Sequence, residues 1–73
     1  MEHLDRMVAE RVRQAMAIAR FGPAELARRS GLPASDLRRR LSAVESFTLF
    51  ELVRIAAALD CRAADFVPRE GEW

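Results

Sequence analysis

Residues 23–41 read PAELARRSGLPASDLRRRL, and this stretch decides the fold. Its proline at position 23 suits the first position of a helix, where no backbone N–H is needed. Gly31 readily takes the left-handed conformation that follows a helix. The sequence therefore predicts a short helix over 23–30 and, after the glycine, a second helix over 33–42 that is also opened by a proline. Two short helices joined by a sharp turn form a helix-turn-helix unit.

The apolar residues of this unit recur where two crossing helices need them. Ala27 is small, which lets the helices approach closely. Leu26, Leu32 and Leu37 are placed to pack the crossing from inside. Leu41 lies one turn after Leu37 and points to the same side. The opposite side of the second helix is therefore expected to face solvent.

A longer helix precedes the unit in the prediction, from about Leu4 to Arg20. It carries an apolar stripe at steps of three or four residues, formed by Leu4, Val8, Val12, Ala15 and Ala19. The break at 21–23 ends it, and Gly22 can cap it.

A fourth helix follows the loop at 43–47. Thr48 and Glu51 have the spacing of a capping box, and Phe47 is placed to pack on Leu52 as a hydrophobic staple. The helix is expected to run to about Leu59 and to bury Leu49, Leu52, Ile55, Ala56 and Leu59.

The end of the chain predicts one more short helix, over 62–67, anchored by Phe66 and stopped by Pro68. Residues 69–73 are expected to be a loose tail, in which Trp73 either folds back on an apolar patch or is disordered. Strand-like alternation is absent from the sequence. We therefore predict an all-α fold, a compact bundle of about five short helices in a single domain over 1–73, with the helix-turn-helix unit at 23–41 and the tail at 68–73.

Composition excludes several classes of protein. The 73 residues are 51% hydrophobic and 32% charged, the balance of a small soluble domain. Cys61 is the only cysteine, so neither an internal disulfide nor a Cys/His metal set can form. We find no signal peptide, membrane span, phosphate loop or catalytic set, and expect a cytoplasmic protein that is not an enzyme and has no cofactor or small-molecule ligand.

Charge is unevenly distributed, although the net charge is only +1. Residues 20–40 carry six Arg and two acidic residues, a net charge of +4. Residues 41–73 carry three Arg and six acidic residues, a net charge of −3. A basic centre beside an acidic end indicates one surface that faces a polyanion.

The stretch from about residue 8 to residue 67 resembles the Cro/lambda-repressor-like (XRE-type) helix-turn-helix family. The first half of the resemblance is the LA…G-L…L spacing of the unit, and the second is the stretch FTLFELVRIAAALDCRAADF, which is similar to the family's fourth helix and the element after it. Pro23 stands where the family often has Gln, Pro33 where it often has Ser or Thr, and Ala43 where it often has Gly. These departures affect contacts with DNA more than the fold.

The resemblance implies a DNA-binding regulator that places its third helix in the major groove. The implied base contacts are Ala34, Ser35, Arg38 and Arg39. Of these we expect Arg39 first and Arg38 second, because Arg can donate two hydrogen bonds to guanine. The implied phosphate contacts are Arg13, Ala24, Arg28, Arg40, Ser46 and Thr48, the last being primarily a helix cap.

Two questions stay open at this point. The same fold can serve as an antitoxin or adaptor that binds a protein instead of DNA, and the chain can be a whole small repressor of phage type or the DNA-binding part of a longer regulator. Phe50 and Val53 point partly outward on the fourth helix, where they are either edge packing or a contact between two copies in a homodimer on a two-fold DNA site.

Overall fold

A computed structural model describes residues 2–72, which form four α-helices and one 3-10 turn. The helices are α1 (Glu2–Ala19), α2 (Pro23–Ser30), α3 (Ala34–Leu41) and α4 (Leu49–Leu59), and the 3-10 turn is Ala63–Phe66. The described part of the chain contains no strand. The predicted all-α class is confirmed, whereas the expectation for Trp73 falls outside the described residues. No helix within 2–72 combines the length and the apolar run needed to span a membrane.

One apolar core holds all five elements together. The largest fully buried side chains come one from each element: Val12, Leu26, Leu37, Ile55 and Phe66. Each fully buried side chain of this size contributes about 1.5–3 kcal/mol relative to an exposed one. Because every element supplies one of them, removing any element opens the core.

The buried face of α1 is centred one position away from the predicted stripe. Ala9, Val12 and Met16 are the buried residues of α1, and Val8 and Ala15 pack beside them only in part. The spacing of the predicted stripe was right, since its five residues fall on one side of the helix. They are Leu4, Val8, Val12, Ala15 and Ala19. The sequence alone did not show which edge of that side meets the other helices.

The prediction for α4 was wrong at Leu49 and only partly right at Leu59, which is half-buried. Leu49 is 70% exposed, whereas Leu52, Ile55 and Ala56 are buried as expected. Leu49 is the first residue of α4, and the buried face of the helix begins only one turn later.

Three α-helices end at a non-glycine residue in the left-handed conformation: Arg20, Ala43 and Asp60. At each, the N–H of the left-handed residue and that of the next residue donate back to carbonyls of the last turn, as in the bonds Phe21 N–H to Met16 and Val44 N–H to Arg39. This is the Schellman arrangement, which usually contains glycine. The expectation that Gly22 caps α1 was therefore wrong, because Arg20 takes that position and Gly22 is instead the residue before α2.

The last segment is more ordered than a loose tail. The predicted fifth helix is a 3-10 turn of four residues, Ala63–Phe66. Pro68 is buried, and the Arg11 guanidinium donates to the Glu72 carboxylate at 2.6 Å and to the Val67 carbonyl at 3.3 Å. These bonds hold residues 69–72 as a turn against α1.

The turn at Gly31 provides a direct test of the unit's backbone. Gly31 has φ 77°, and a Cβ there would lie 3.6 Å from Arg54 Nη1, which is an ordinary contact. Gly31→Ala should therefore destabilise the domain through its backbone alone, by about 1–2 kcal/mol. Urea denaturation measures this change.

Gly22→Ala is the matched control, because Gly22 has φ −82° and open space around its Cβ position. Its free energy of unfolding should change by no more than about 0.5 kcal/mol. Equal losses in the two variants would contradict the assignment of strain to residue 31.

Candidate nucleic-acid interface

The packing of α3 leaves one of its sides in solvent. Leu37 and Leu41 are buried, as predicted, because they meet the core formed with α1, α2 and α4. Ser35, Arg38 and Arg39 are exposed on the remaining surface of the helix. They are spaced three and four residues apart, so they share one face. Ala34 is half-buried and packs against the core, which leaves less of its methyl group for a base.

Arg38 carries an unpaired charge on this face. Its guanidinium makes no ion pair with any residue from 2 to 72, although Arg39 and Arg40 beside it are both paired. The other Arg side chains without an ion pair inside that range are Arg13, Arg20, Arg54, Arg62 and Arg69. Arg38 is therefore the guanidinium on α3 that has no ion-pair partner within residues 2–72.

Arg39, the residue expected to matter most, binds two carboxylates. Its Nε donates to Glu45 Oε1 at 3.1 Å and its Nη2 donates to Asp36. These hydrogen bonds, that to Glu45 first, raise the pKa of Arg39 above its ordinary value. The side chain stays 47% exposed, so it is held in place without being covered.

Arg40, a predicted phosphate contact, is engaged with carboxylates of the protein. Its guanidinium binds Glu51 through Nε and Nη2, at 3.1 and 3.2 Å, and it also binds Glu45. Only 16% of its side chain is exposed. The two-point ion pair connects α3 to the start of α4, so little of this guanidinium is left for a phosphate.

Glu51 also completes the predicted capping box of α4. Its carboxylate accepts the N–H of Thr48 at 2.8 Å, while its own N–H donates to Thr48 Oγ1 at 3.1 Å. Thr48 is therefore a cap whose hydroxyl and N–H are both engaged within the protein. A phosphate at this position has to compete with Glu51.

The other predicted phosphate contacts are also engaged, with one exception. Arg13 Nη2 donates to the carbonyl of Leu41 at the end of α3, and Ser46 Oγ donates to the Asp5 carboxylate at 2.5 Å. Arg28 is paired with Glu25. Ala24 is exposed in the first turn of α2, where backbone N–H groups have no partner within the helix.

Glu25 pairs with two arginines at once. Arg28 and Arg29 lie three and four residues after it and both donate to its carboxylate. The bond from Arg28 and then that from Arg29 lower the pKa of Glu25 to about 2. Arg29 also lies over the ring of Phe21, 4.7 Å from its centre.

Sequence reasoning missed the acidic partners of the arginines. The spacings of Glu25 with Arg28 and of Asp36 with Arg39 are those of helix ion pairs, and this signal was present in the sequence. Glu45 has no such spacing signal, because it lies in the loop after α3. Only the path of the loop backbone brings it close to α3.

The chain was compared with known proteins at three levels. A family model described as the Cro/C1-type HTH DNA-binding domain matches residues 3–72. Neither the curated proteins nor the solved structures gave a match. The family match covers almost the whole chain, including all four helices and the ion pairs described above.

The geometry around Glu51 predicts a pH dependence of stability. Burial acts to raise the pKa of Glu51, but the Thr48 N–H and the Arg40 guanidinium outweigh it and hold the pKa below its ordinary value of 4.5. The ionised carboxylate therefore stabilises the fold fully above about pH 4.5, and this contribution is lost as the pH falls through the lowered pKa. Thermal denaturation at decreasing pH should show Glu51→Gln losing less stability than the wild type.

Glu70→Gln is the control for this experiment, because Glu70 is exposed and has no ion pair within 2–72. Its pH profile should run parallel to that of the wild type. A parallel profile for Glu51→Gln as well would show that the buried ion pair does not respond to acid in this range.

Proposed function

Because the chain belongs to the Cro/C1-type helix-turn-helix DNA-binding domain family, we propose that it is a sequence-specific transcription regulator that places α3 in the major groove of double-stranded DNA. The observation that carries this proposal is the exposed face of α3, where Ser35, Arg38 and Arg39 stand opposite the buried Leu37 and Leu41. An α-helix fits the width of the major groove, and Arg is the side chain that most often reads guanine there.

The finer proposal is a small repressor of phage or prophage type that acts in the cytoplasm by covering a promoter. The size of the domain supports it, since one α3 reads only a few base pairs. Affinity then comes from two copies on half-sites about one helical turn apart. Backbone contacts at the first turn of α2, around Ala24, would set the register on the duplex.

A second candidate function is a module that binds a protein, as an antitoxin or adaptor does. The pairing of Arg39 and Arg40 with Asp36, Glu45 and Glu51 favours it, because these contacts neutralise most of the positive charge of α3. A gel shift with random duplex DNA at low salt separates the two functions. Binding that weakens steeply with added salt supports DNA as the partner, and absence of binding supports a protein partner.

Arg38 gives the first specific prediction for DNA binding. Selection from a random pool of duplexes should enrich one site, and Arg38→Ala should weaken binding to that site about tenfold, since a guanine contact is worth roughly 1–3 kcal/mol. Binding to random duplex should fall far less. Fluorescence anisotropy with both duplexes measures the two losses.

Arg62→Ala is the matched control, because it removes the same charge from an exposed residue outside the helix-turn-helix unit. It should change both affinities slightly and alike. If Arg38→Ala also lowered both affinities equally, Arg38 would be a phosphate contact only.

The dimer proposed with this function uses an apolar patch on α4. Leu49, Phe50 and Val53 are 70%, 77% and 50% exposed, and their spacing puts them side by side on the helix. Such patches in small proteins mark interaction sites. We propose a second copy of the chain as the occupant, because α4 follows directly on the loop after α3 and because a two-fold DNA site needs two α3 helices held at a fixed spacing.

Phe50→Glu should therefore abolish the dimer by placing a charge in its apolar contact. Sedimentation analysis, with and without a palindromic selected site, measures this change, and binding to a single half-site should be retained. Ile18→Glu is the control, because Ile18 is 85% exposed on α1 away from the patch. A wild-type protein that binds its palindromic site as one copy would refute the dimer.

A further inference from the structure

The two carboxylates bound to Arg39 lie on the same edge of its guanidinium. Glu45 accepts from Nε and Asp36 accepts from Nη2, the two nitrogens whose N–H bonds point along one side of the group. Nη1 donates to no residue within 2–72. The outer edge, formed by Nη1 and the second hydrogen of Nη2, therefore has two parallel donors directed away from the acids.

The backbone of the loop fixes Glu45 in this position. Val44 N–H donates to the carbonyl of Arg39 at 3.2 Å and Ala43 N–H donates to that of Arg40 at 3.0 Å. Ala43 takes the left-handed conformation, with φ 62°, which turns the chain back across the end of α3. The hydrogen-bonded end of α3 thus brings Glu45 to Arg39. The contact does not depend on the flexibility of a long side chain.

Glu45 is fixed from a second direction as well. The same oxygen, Oε1, that accepts from Arg39 also accepts from Arg40, whose guanidinium is tied to Glu51 on α4. The carboxylate is therefore anchored to α4 through Arg40 while it holds Arg39. An exposed pair held by one bond gains little from its contact, but a network of this kind restricts its members.

We propose that Glu45 is a positioning residue for base recognition, which together with Asp36 holds Arg39 so that its outer edge donates two hydrogen bonds to a guanine. This inference rests on the proposed function. Two parallel N–H donors match the O6 and N7 acceptors of guanine in the major groove. Because Arg39 is already held in place, the base does not have to restrict a flexible side chain when it binds.

The arrangement also has an electrostatic consequence. The carboxylate of Glu45 cancels charge that would otherwise attract any phosphate, and binding to random DNA depends on such charge. Glu45 thus acts in two opposite directions. It weakens binding to all sequences, and it strengthens the preference for one base.

The test measures both effects in one set of duplexes, namely the selected site, its single base-pair variants and a random duplex. Glu45→Gln should lower the preference for guanine at one position about tenfold, while it raises the affinity for random duplex about threefold. Arg39→Ala should lose the preference at the same position. In the double variant, Glu45→Gln should cause no further loss there, because both changes remove one contact.

Glu25→Gln is the matched control. Glu25 also binds two arginines and its replacement changes the net charge equally, but its partners Arg28 and Arg29 lie on α2. It should raise the affinity for random duplex without changing the preference for any base. Thermal denaturation of each variant confirms that the fold is retained.

The outcomes separate this inference from the function on which it rests. If a site is enriched and Glu45→Gln keeps the full base profile of the wild type, the positioning role is refuted and DNA binding stands. If no duplex is enriched and neither wild type nor variant binds random DNA, both the inference and the proposed function fail.

Discussion

The burial of Leu26 and Leu37 on either side of the turn at Gly31 is the interaction on which the rest depends. It holds α3 against α2, so that one side of α3 is covered and the other is not. Truncating a buried leucine to alanine costs about 2–5 kcal/mol, which is comparable with the whole stability expected of a domain this small. The surface proposed to contact DNA is therefore only as well defined as this apolar contact beneath it.

Charge on the exposed side follows a second constraint. The chain places an acid beside nearly every arginine of the helix-turn-helix unit, with Glu25 on α2 and with Asp36 and Glu45 around Arg39. A regulator whose recognition helix is basic and unpaired binds all DNA strongly. Such a regulator occupies its own site only slowly. Pairing most of the guanidinium groups within the protein reduces that general attraction and leaves discrimination to a few directed contacts.

Much of the fold could be predicted, because local rules carry it. The proline and glycine positions around α2, the capping box of Thr48 and Glu51, and the burial of Leu37 are short-range patterns that tertiary structure did not override. The left-handed conformation of Arg20, Ala43 and Asp60 could not be predicted, since a glycine usually occupies this position and none does so here.

The candidate site was likewise predictable in some parts and not in others. Exposure of Arg38 and Arg39 followed from the helical period once Leu37 and Leu41 were assigned to the core. The roles of Arg13 and Arg40 did not follow, because each is decided by an atom far along the chain, the Leu41 carbonyl for one and the Glu51 carboxylate for the other. The sequence around an arginine does not indicate which distant acceptor its side chain contacts.

One consequence of the shared core concerns the lifetime of the protein in a cell. Since each of the five elements supplies one of the largest fully buried side chains, loss of any element opens the core and makes the chain accessible to proteases. A bound ligand stabilises only the folded state, by an amount that grows with its concentration relative to Kd. Molecules bound to an operator would then be degraded more slowly than those in free solution. Turnover would therefore remove the unbound fraction first.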